Sequence, residues 1–292
     1  AGALNGYRRF GLQRLAGHLP LPAAIRRLNA LLPTAPQRQA LTAHTPGGGT
    51  RGKAHLFRGC AGSSFDQQTL DATQQLLQKL GYQVSIPDRQ GCCGALHQHN
   101  GEPAAAAQLA EINLHAFAGN DDPVIATASA CSAQLLAYRE LYRDTAAATF
   151  TQRVCDILHF LNARHAQELH FRPCAQRVAL YMPCTHRNSL GQAQDVMQVL
   201  ERVPGLEVLL LNPDGGCCGA AGSYMLSQPQ LSDALRDKVL DRIADSGAGT
   251  LLTTNIGCSL HLQAGLRQRN LTVEVLHPVV LLESLLDDTG IA

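Results

Sequence analysis

Tryptophan is missing from this sequence, and aromatic residues of all kinds make up only 4% of its 292 residues. Proteins that bind nucleic acids usually show basic motifs or aromatic stacking residues, and no such motif occurs, so we expect no nucleic-acid partner. No apolar run approaches the roughly 18 residues of a membrane-spanning helix. A secretory signal is also missing. We therefore expect a cytoplasmic protein, soluble or peripheral on the inner face of a membrane.

Acidic residues are absent before Asp66, whereas nine arginines and lysines lie in the same stretch. Two short amphipathic helices are predicted here, followed by a glycine-rich linker at 45–52. The apolar positions that could form one face of each helix are Tyr7, Phe10 and Leu15, and then Ile25, Leu28, Leu31 and Leu32. We interpret residues 1–52 as a basic helical arm and linker that packs on or reaches toward an acidic partner. We expect the numbering to start inside a longer natural chain or after processing.

A Gly-Cys-Cys-Gly-Ala sequence occurs twice, at residues 91–95 and 216–220. Each copy has one cysteine about 30 residues before it and another about 40 residues after it. The two sets are Cys60, Cys92, Cys93 and Cys131, and Cys184, Cys217, Cys218 and Cys258. Equivalent cysteines are 124, 125 and 127 residues apart, which indicates an internal duplication. The duplication predicts two lobes, at 53–170 and 171–292.

Strands alternate with helices in both halves. In the first half the pattern predicts strands at 54–59, 82–86 and 123–129, and helices at 66–80, 103–117, 132–142 and around 154–161. In the second half it predicts strands at 177–182, 206–211, 250–254 and 272–276, and helices at 192–203, 230–244 and 278–286. This alternation is typical of right-handed βαβ crossovers and parallel sheets. We therefore predict an α/β fold with two duplicated lobes, each a small parallel-sheet βαβ unit, preceded by the short helical arm. The cysteines would lie at the carboxyl ends of strands, where open α/β sheets place their sites.

Several kinds of chemistry are open to these cysteines. A disulfide within each adjacent pair would be strained, because neighbouring Cα atoms lie only about 3.8 Å apart. Structural zinc usually takes its ligands from short C-x(2–4)-C knuckles, and the eight duplicated cysteines contain none. Adjacent soft thiolates with four ligands per lobe favour an iron–sulfur centre. Gly94 and Gly219 would let the backbone approach such a centre and offer amides to its sulfurs.

The two remaining cysteines lie outside the duplicated pattern. Cys155 stands beside a predicted helix and Cys174 in the segment between the lobes. An isolated cysteine is most often a small buried hydrophobe, so we expect neither to take part in the site.

The cysteine pattern resembles the duplicated cysteine-rich CCG domain of the heterodisulfide reductase B subunit and its relatives. Within that family it is most similar to glycolate oxidase iron–sulfur subunits, and the likeness runs from about Gly52 to the end. The segments that carry the resemblance are 91–99, 128–131, 183–185, 216–224 and 255–262. The resemblance implies one or two 4Fe-4S clusters held by the eight duplicated cysteines. It also implies that the arm is similar to a segment that joins these repeats to a ferredoxin domain.

Two departures from the family pattern limit what the resemblance implies. The C-x2-C-x2-C-x3-C-P quartets of the ferredoxin part do not occur in this sequence. In heterodisulfide reductase a C-x-x-C pair supplies a fifth thiolate to a noncubane cluster, but Gln134 and His261 occupy that position here. His261 is a candidate fifth ligand or a hydrogen-bond donor to sulfur, and Gln134, a poor iron ligand, is a candidate to lie beside the cluster without binding iron. His97, His99 and His186 could line a site or belong to surface loops.

The leading hypothesis is therefore an electron-transfer subunit of a flavin-dependent 2-hydroxy-acid dehydrogenase. Its partners would be a flavoprotein subunit and a ferredoxin-like domain or subunit, and a peripheral membrane contact is left open. No Gly-rich dinucleotide motif follows the first strand, so we expect no flavin or nicotinamide on this chain. A heterodisulfide-reductase-like catalytic subunit is the alternative, and a scaffold without iron is the third hypothesis.

Overall fold

The computed structural model describes residues 6–7, 12–17, 19–33 and 51–287. The predicted apolar position Phe10 and most of the predicted linker lie outside these residues. Two arm helices are described, α1 (Leu12–Gly17) and α2 (Ala23–Leu31). Within the described residues, no helix is long and apolar enough to cross a membrane.

The first lobe alternates strands and helices as its sequence pattern predicts. Its elements are β1 (Lys53–Leu56), α3 (Gly59–Phe65), α4 (Gln67–Lys79), β2 (Gln83–Ser85), α5 (Ala95–His99), α6 (Pro103–Ala116), β3 (Val124–Ala126), α7 (Ser129–Tyr142), α8 (Thr145–Thr151), β4 (Val154–Asp156) and α9 (Ile157–His165). The sequence pattern does not predict three short helices: α3, which contains Cys60, α5, which follows the first C-C-G, and α8.

The second lobe repeats this order. Its elements are β5 (Arg177–Leu180), a π-helical turn (Thr185–Ser189), α10 (Ala193–Leu200), β6 (Glu207–Leu210), α11 (Tyr224–Ser227), α12 (Pro229–Ser246), β7 (Thr250–Leu252), α13 (Ile256–Gln268), β8 (Glu274–Leu276) and α14 (Pro278–Leu285). Proline occupies the first turn of α6, α12 and α14, where its missing N–H leaves no hydrogen bond unmade.

Both sheets have four parallel strands in the same spatial order. The orders are β2-β1-β3-β4 and β6-β5-β7-β8. Equivalent registers repeat as well, since His55 pairs with Val124 in one sheet and Ala179 with Leu251 in the other. The predicted fold of two duplicated parallel lobes is confirmed.

One predicted helix begins later than expected. Residues Val154–Asp156 form strand β4, which pairs with β3, and only Ile157–His165 is helical. A strand of three residues is too short to show the alternation of apolar and polar residues that marks a strand. The sequence pattern therefore places its residues in the helix that follows. Cys155 therefore lies on an edge strand, half-buried against the core, whereas Cys174 is buried.

The largest apolar core joins the two lobes. It combines Leu56 and Leu76 of the first lobe with Leu180 and Val199 of the second. Helix α9 packs against α10, and α14 packs against α4, so the last helix of each lobe packs against a helix of the other lobe. The bounds 53–170 and 171–292 separate the two sheets along the sequence but remain a prediction for the domains. The core that the two lobes share fixes their relative position. Cys93 belongs to a separate core of the first lobe, and Cys218 and Cys258 belong to a separate core of the second lobe.

Candidate functional site

All eight duplicated cysteines lie just past the carboxyl ends of strands. Cys60 is in α3 after β1, the pair Cys92–Cys93 lies between β2 and α5, and Cys131 is in α7 after β3. The second lobe places Cys184, Cys217, Cys218 and Cys258 at the matching points. Because parallel strands end on the same side of a sheet, cysteines that are distant in sequence are brought together in each lobe.

In the first lobe the four sulfur atoms form a row. The Sγ atoms of Cys60 and Cys92 are 3.3 Å apart, and those of Cys93 and Cys131 are also 3.3 Å apart. Because Cys92 and Cys93 are adjacent in the sequence, the two pairs are neighbours. We call Cys60, Cys92, Cys93 and Cys131 the first thiol row.

The second lobe brings its four thiols together in a similar way. The Sγ atoms of Cys218 and Cys258 are 3.1 Å apart. The neighbouring Cys184 and Cys218 thiols both lower the pKa of Cys217. We call Cys184, Cys217, Cys218 and Cys258 the second thiol row.

One cysteine in each row carries the negative charge most readily. The pKa of Cys92 is lowered to about 2, chiefly because the Cys60 thiol donates a hydrogen bond to its sulfur, with Cys93 as the second donor. The Cys184 and Cys218 thiols lower the pKa of Cys217 to about 2 in the same way. The pKa values of the donors Cys60 and Cys184 are raised, because each thiol keeps its proton in this bond. Each row therefore contains one thiolate, Cys92 or Cys217, which neighbouring protonated thiols stabilise.

The glycine after each pair turns the backbone toward that thiolate. Gly94 has φ of 85° and Gly219 has φ of 82°, in the left-handed region that glycine adopts without strain. In this conformation the Gly94 amide donates to Cys92 Sγ at 3.5 Å, and the Gly219 amide donates to Cys217 Sγ at 3.3 Å. Hydrogen bonds from backbone amides to sulfur tune iron–sulfur sites, and the role of both glycines beside a cluster stays a prediction.

Buried polar side chains that the sequence did not point to hold the first C-C-G loop. Asn113 of α6 accepts from the Gly91 amide at 2.9 Å and donates to the Cys92 carbonyl at 2.9 Å. The Tyr138 hydroxyl of α7 donates to the Cys93 carbonyl at 2.9 Å. Asn113 lies on a helix face with Ala106 and Ala110, and all three are buried. The only sequence signal for this role of Asn113 is a polar residue on the same helix face as two alanines.

Different side chains hold the second C-C-G loop. Asn212 and Tyr181 donate to the Gly216 carbonyl at 3.0 and 3.1 Å. Ser232 of α12 donates to the Gly219 carbonyl at 2.8 Å, and its hydroxyl lies 2.9 Å from Nε2 of His261. All four side chains are buried, which fixes the path of the loop.

His261 and Gln134 occupy the position of the fifth thiolate but do so differently. His261 is fully buried and bound to Ser232, and burial lowers the pKa of its imidazole to about 4, so the ring is neutral at neutral pH. It reaches the second row through Ser232 and the Gly219 carbonyl. Gln134 is also buried, and its amide nitrogen makes no hydrogen bond. Both therefore lie beside the rows, and their part in the site stays a prediction.

The other three histidines divide between surface and interior. His97 pairs with Glu102 at 2.7 Å near the surface, and His99 is exposed. His186 is fully buried between the lobes, with Nδ1 at 3.0 Å from Thr254 Oγ1. Of these three histidines, only His186 is buried.

Hydrogen bonds link the surroundings of the two rows. Ser129, two residues before Cys131, places its hydroxyl 2.7 Å from that of Thr185, the residue after Cys184. The Ser129 amide also donates to the Thr254 carbonyl at 2.9 Å. Both rows therefore border the contact between the lobes.

The rows differ in exposure. Cys60 and Cys184 are exposed at the head of each row, but Cys131 is only half-buried while Cys258 is buried. The first row is thus the more open of the two.

The donor chemistry of each row fits an iron–sulfur cluster. Four soft thiols converge per lobe, and a backbone amide donates to the thiolate in each. Among the described residues, no three His, Cys, Asp or Glu side chains are arranged as ligands of a metal ion. In the pairs Cys60–Cys92, Cys93–Cys131 and Cys218–Cys258 the sulfurs lie 3.1–3.3 Å apart as hydrogen-bonded thiols, closer than the ~3.8 Å between two sulfurs on one tetrahedral zinc. The eight cysteines are nevertheless the groups that could hold such a cofactor.

Comparison with known proteins gives a consistent picture. A family model described as a cysteine-rich domain matches twice, at residues 54–136 and 178–263. A probable glycolate oxidase iron–sulfur subunit of Bacillus subtilis is 31% identical over 97% of this chain and 67% of its own length. The glycolate oxidase iron–sulfur subunit of Escherichia coli is 27% identical over 71% of this chain and 53% of its own length. Lactate utilization protein A of Shouchella clausii is 26% identical over 78% of this chain and 98% of its own length.

Proposed function

Because this chain belongs to the cysteine-rich CCG domain family, and because its eight repeated thiols form two matched rows, we propose that it is an iron–sulfur electron-transfer protein. The observation that carries the proposal is the convergence of four thiols from separate strand ends in each lobe. Its relatives among glycolate oxidase and lactate utilization proteins support a role in an oxidoreductase.

The two rows are the proposed cluster ligands. One 4Fe-4S cluster would be held by Cys60, Cys92, Cys93 and Cys131, and a second by Cys184, Cys217, Cys218 and Cys258. When bound, such a cluster accepts and releases one electron. The protein's part is to donate the Gly94 and Gly219 amides to sulfur and to fix the C-C-G loops through Asn113 and Ser232. Rigid ligands and fixed dipoles reduce the reorganisation that electron transfer requires.

We further propose that the electrons come from a flavin-dependent 2-hydroxy-acid dehydrogenase of the glycolate or lactate type. Oxidation of an alcohol to a carbonyl needs a cofactor that takes two electrons, and a flavoprotein partner would supply it. The proposed partners are that flavoprotein and a ferredoxin-like domain or subunit. The proposed location is the cytoplasm, with a peripheral contact at the inner face of the membrane.

The alternative is a heterodisulfide-reductase-like subunit that acts on a disulfide. The position of a fifth thiolate is taken by Gln134 in one lobe and by His261 in the other. The His261 ring is bound to Ser232 and its Nε2 also lies 3.3 Å from the Ser232 carbonyl, which turns it toward the backbone. This arrangement favours simple electron transfer over disulfide chemistry.

The test uses the chain purified without oxygen. We expect iron and sulfide in equal amounts, a cluster signal in electron paramagnetic resonance after reduction, and no reduction of a dye by glycolate or lactate. Adding the flavoprotein partner should start dye reduction. Iron-free protein would overturn the cluster assignment, dye reduction by the flavin-free chain alone would overturn the role, and heterodisulfide turnover would favour the alternative.

A further inference from the structure

The arm that precedes the first lobe packs against the second lobe. Helix α2 lies on α13, the helix that carries Cys258, and on α11, the helix that follows the second C-C-G loop. Arg267 of α13 donates to the Ala30 carbonyl at 2.6 Å and to the Leu32 carbonyl at 3.1 Å, which holds the end of α2. The arm is therefore attached to the lobe that is farther from it in sequence.

Among the arm arginines whose side chains the structure describes, Arg27 makes the deepest contacts. Both carboxylate oxygens of Asp233 accept from Arg27 Nη1 at 2.7 Å, and the Met225 carbonyl accepts from Nε at 3.0 Å. The Arg27 side chain is only 12% exposed, whereas its neighbour Arg26 points to solvent. A hydrogen-bonded ion pair of this kind is held far more firmly than an exposed one.

Both acceptors of Arg27 are connected to the second C-C-G loop, Met225 by its own hydrogen bond and Asp233 through its sequence neighbour Ser232. Asp233 follows Ser232, whose hydroxyl donates to the Gly219 carbonyl at 2.8 Å. The Met225 amide donates to the Ala220 carbonyl at 3.1 Å. Gly219 in turn donates its amide to Cys217 Sγ at 3.3 Å. Arg27 therefore lies two hydrogen-bonded steps from the loop that presents the Cys217 thiolate.

The loop between these two attachments is conformationally costly. Ala221 has φ of 33° and Gly222 has φ of 63°, so two successive residues are left-handed. An alanine in this region is strained and needs surrounding contacts to keep it there. A residue that fixes both ends of the segment supplies such contacts.

The first lobe offers an internal control. The Ala106 carbonyl faces Gly94 as the Ser232 carbonyl faces Gly219, so Ala107 corresponds to Asp233. Alanine has no carboxylate to receive an arginine. The first C-C-G loop is held instead by Asn113 and Tyr138, which belong to its own lobe.

We infer that Arg27 is a positioning residue of the second thiol row, which it holds from outside the cysteine repeats through Asp233 and Met225. The arm thereby supports the second thiol row and not the first. The inference rests on the proposed function only in treating the second row as a cluster site, because the hydrogen bonds it invokes belong to the polypeptide.

The test compares Arg27→Gln with Arg26→Gln, which removes the same charge from the exposed neighbour. Anaerobic full-length protein is treated with an iron chelator and a thiol-alkylating reagent, and labelling of Cys217 and Cys92 is followed by peptide mass spectrometry. In Arg27→Gln we expect Cys217 to be labelled about tenfold faster and Cys92 to change less than about twofold, because opening is local. Arg26→Gln should match the wild type at both cysteines.

Two further variants separate positioning from general destabilisation. Arg27→Lys keeps the charge but loses the fork that serves Asp233 and Met225 together, so its Cys217 rate should lie between wild type and Arg27→Gln. Asp233 also pairs with the buried Arg236 at 3.0 Å, so Asp233→Asn should accelerate Cys217 labelling at least as much as Arg27→Gln, and the double variant should be no worse than Asp233→Asn alone. Equal acceleration at Cys92 and Cys217, or an unchanged Cys217 rate, would overturn the inference. Protein without iron would refute the cluster proposal while leaving the labelling comparison intact.

Discussion

Gly219 approaches the backbone of Ser232 so closely that a Cβ atom on Gly219 would lie 2.3 Å from the Ser232 carbonyl oxygen. At the equivalent place in the first lobe, a Cβ on Gly94 would lie 3.2 Å from the Ala106 carbonyl oxygen. Both glycines have positive φ, so the two differ mainly in the space around them. The backbone at Gly219 is thus more tightly packed than the backbone at Gly94.

This difference predicts unequal effects of the same substitution. Gly94→Ala should lower the free energy of unfolding by about 1–3 kcal/mol through backbone strain. Gly219→Ala adds a clash with a rigid carbonyl and should cost about 1–3 kcal/mol more. Chemical denaturation and iron content of both variants would measure this. Equal losses would mean that Ser232 moves aside without cost.

Asn113 is expected to be necessary for the first row. Asn113→Ala leaves the Gly91 amide and the Cys92 carbonyl without their buried partner, at a cost of about 1–3 kcal/mol for each group. We expect a lower melting temperature and loss of iron from the first lobe. Gln108→Ala, at an exposed position of the same helix, should have little effect. A similar loss in both variants would show that α6 itself, and not the clamp, was damaged.

The two rows should also differ in how firmly they hold iron. The second row is more deeply buried, since Cys218 and Cys258 are 2% and 4% exposed and Cys131 is half-buried. Cys217→Ser or Cys218→Ser should therefore remove more iron than Cys92→Ser or Cys93→Ser. Iron analysis with paramagnetic resonance of the reduced variants tests this. Equal losses would make the lobes indistinguishable.

His277 predicts a pH dependence of stability. Burial lowers the pKa of its imidazole to about 3, and its Nδ1 accepts from the Val279 amide at 3.1 Å at the start of α14. Unfolded histidine titrates near 6.5, so below that pH the unfolded chain binds a proton that the folded chain refuses. The stability that neutral His277 provides is complete above about pH 6.5 and is lost as the pH falls toward 3.

The matched variant is His277→Asn, which retains a side-chain acceptor for the helix start. Between pH 7.5 and 4.5 the wild type should lose about 2–3 kcal/mol more stability than His277→Asn. Urea unfolding at both pH values measures the difference. The buried Asp156 carboxyl, whose pKa burial raises, acts in the opposite sense and is common to both proteins. Parallel curves for the two proteins would mean that His277 is protonated in the folded state.

The sequence alone determined the duplication, the parallel α/β lobes and the position of the eight cysteines at strand ends. It could do so because strand–helix alternation and cysteine spacing are properties of local sequence. It missed β4, since three residues show no period, and it assigned Val154 to a helix. It predicts the second lobe as the better cluster holder from His261 and the glycines around Cys217 and Cys218, but it does not identify the side chains that hold either loop.

Only the tertiary structure decided what surrounds each thiol row. Asn113 lies 21 residues from the carbonyl it binds, and Arg27 lies 206 residues from Asp233. No local pattern marks such partners, because any buried polar group can be satisfied by whichever chain segment packs against it. The attachment of the arm to the second lobe likewise follows from the packing of α2 on α13, which the arm's own amphipathic pattern cannot specify. The proposed ligands can thus be identified from the sequence, whereas the different side chains that support the two rows are determined by the fold.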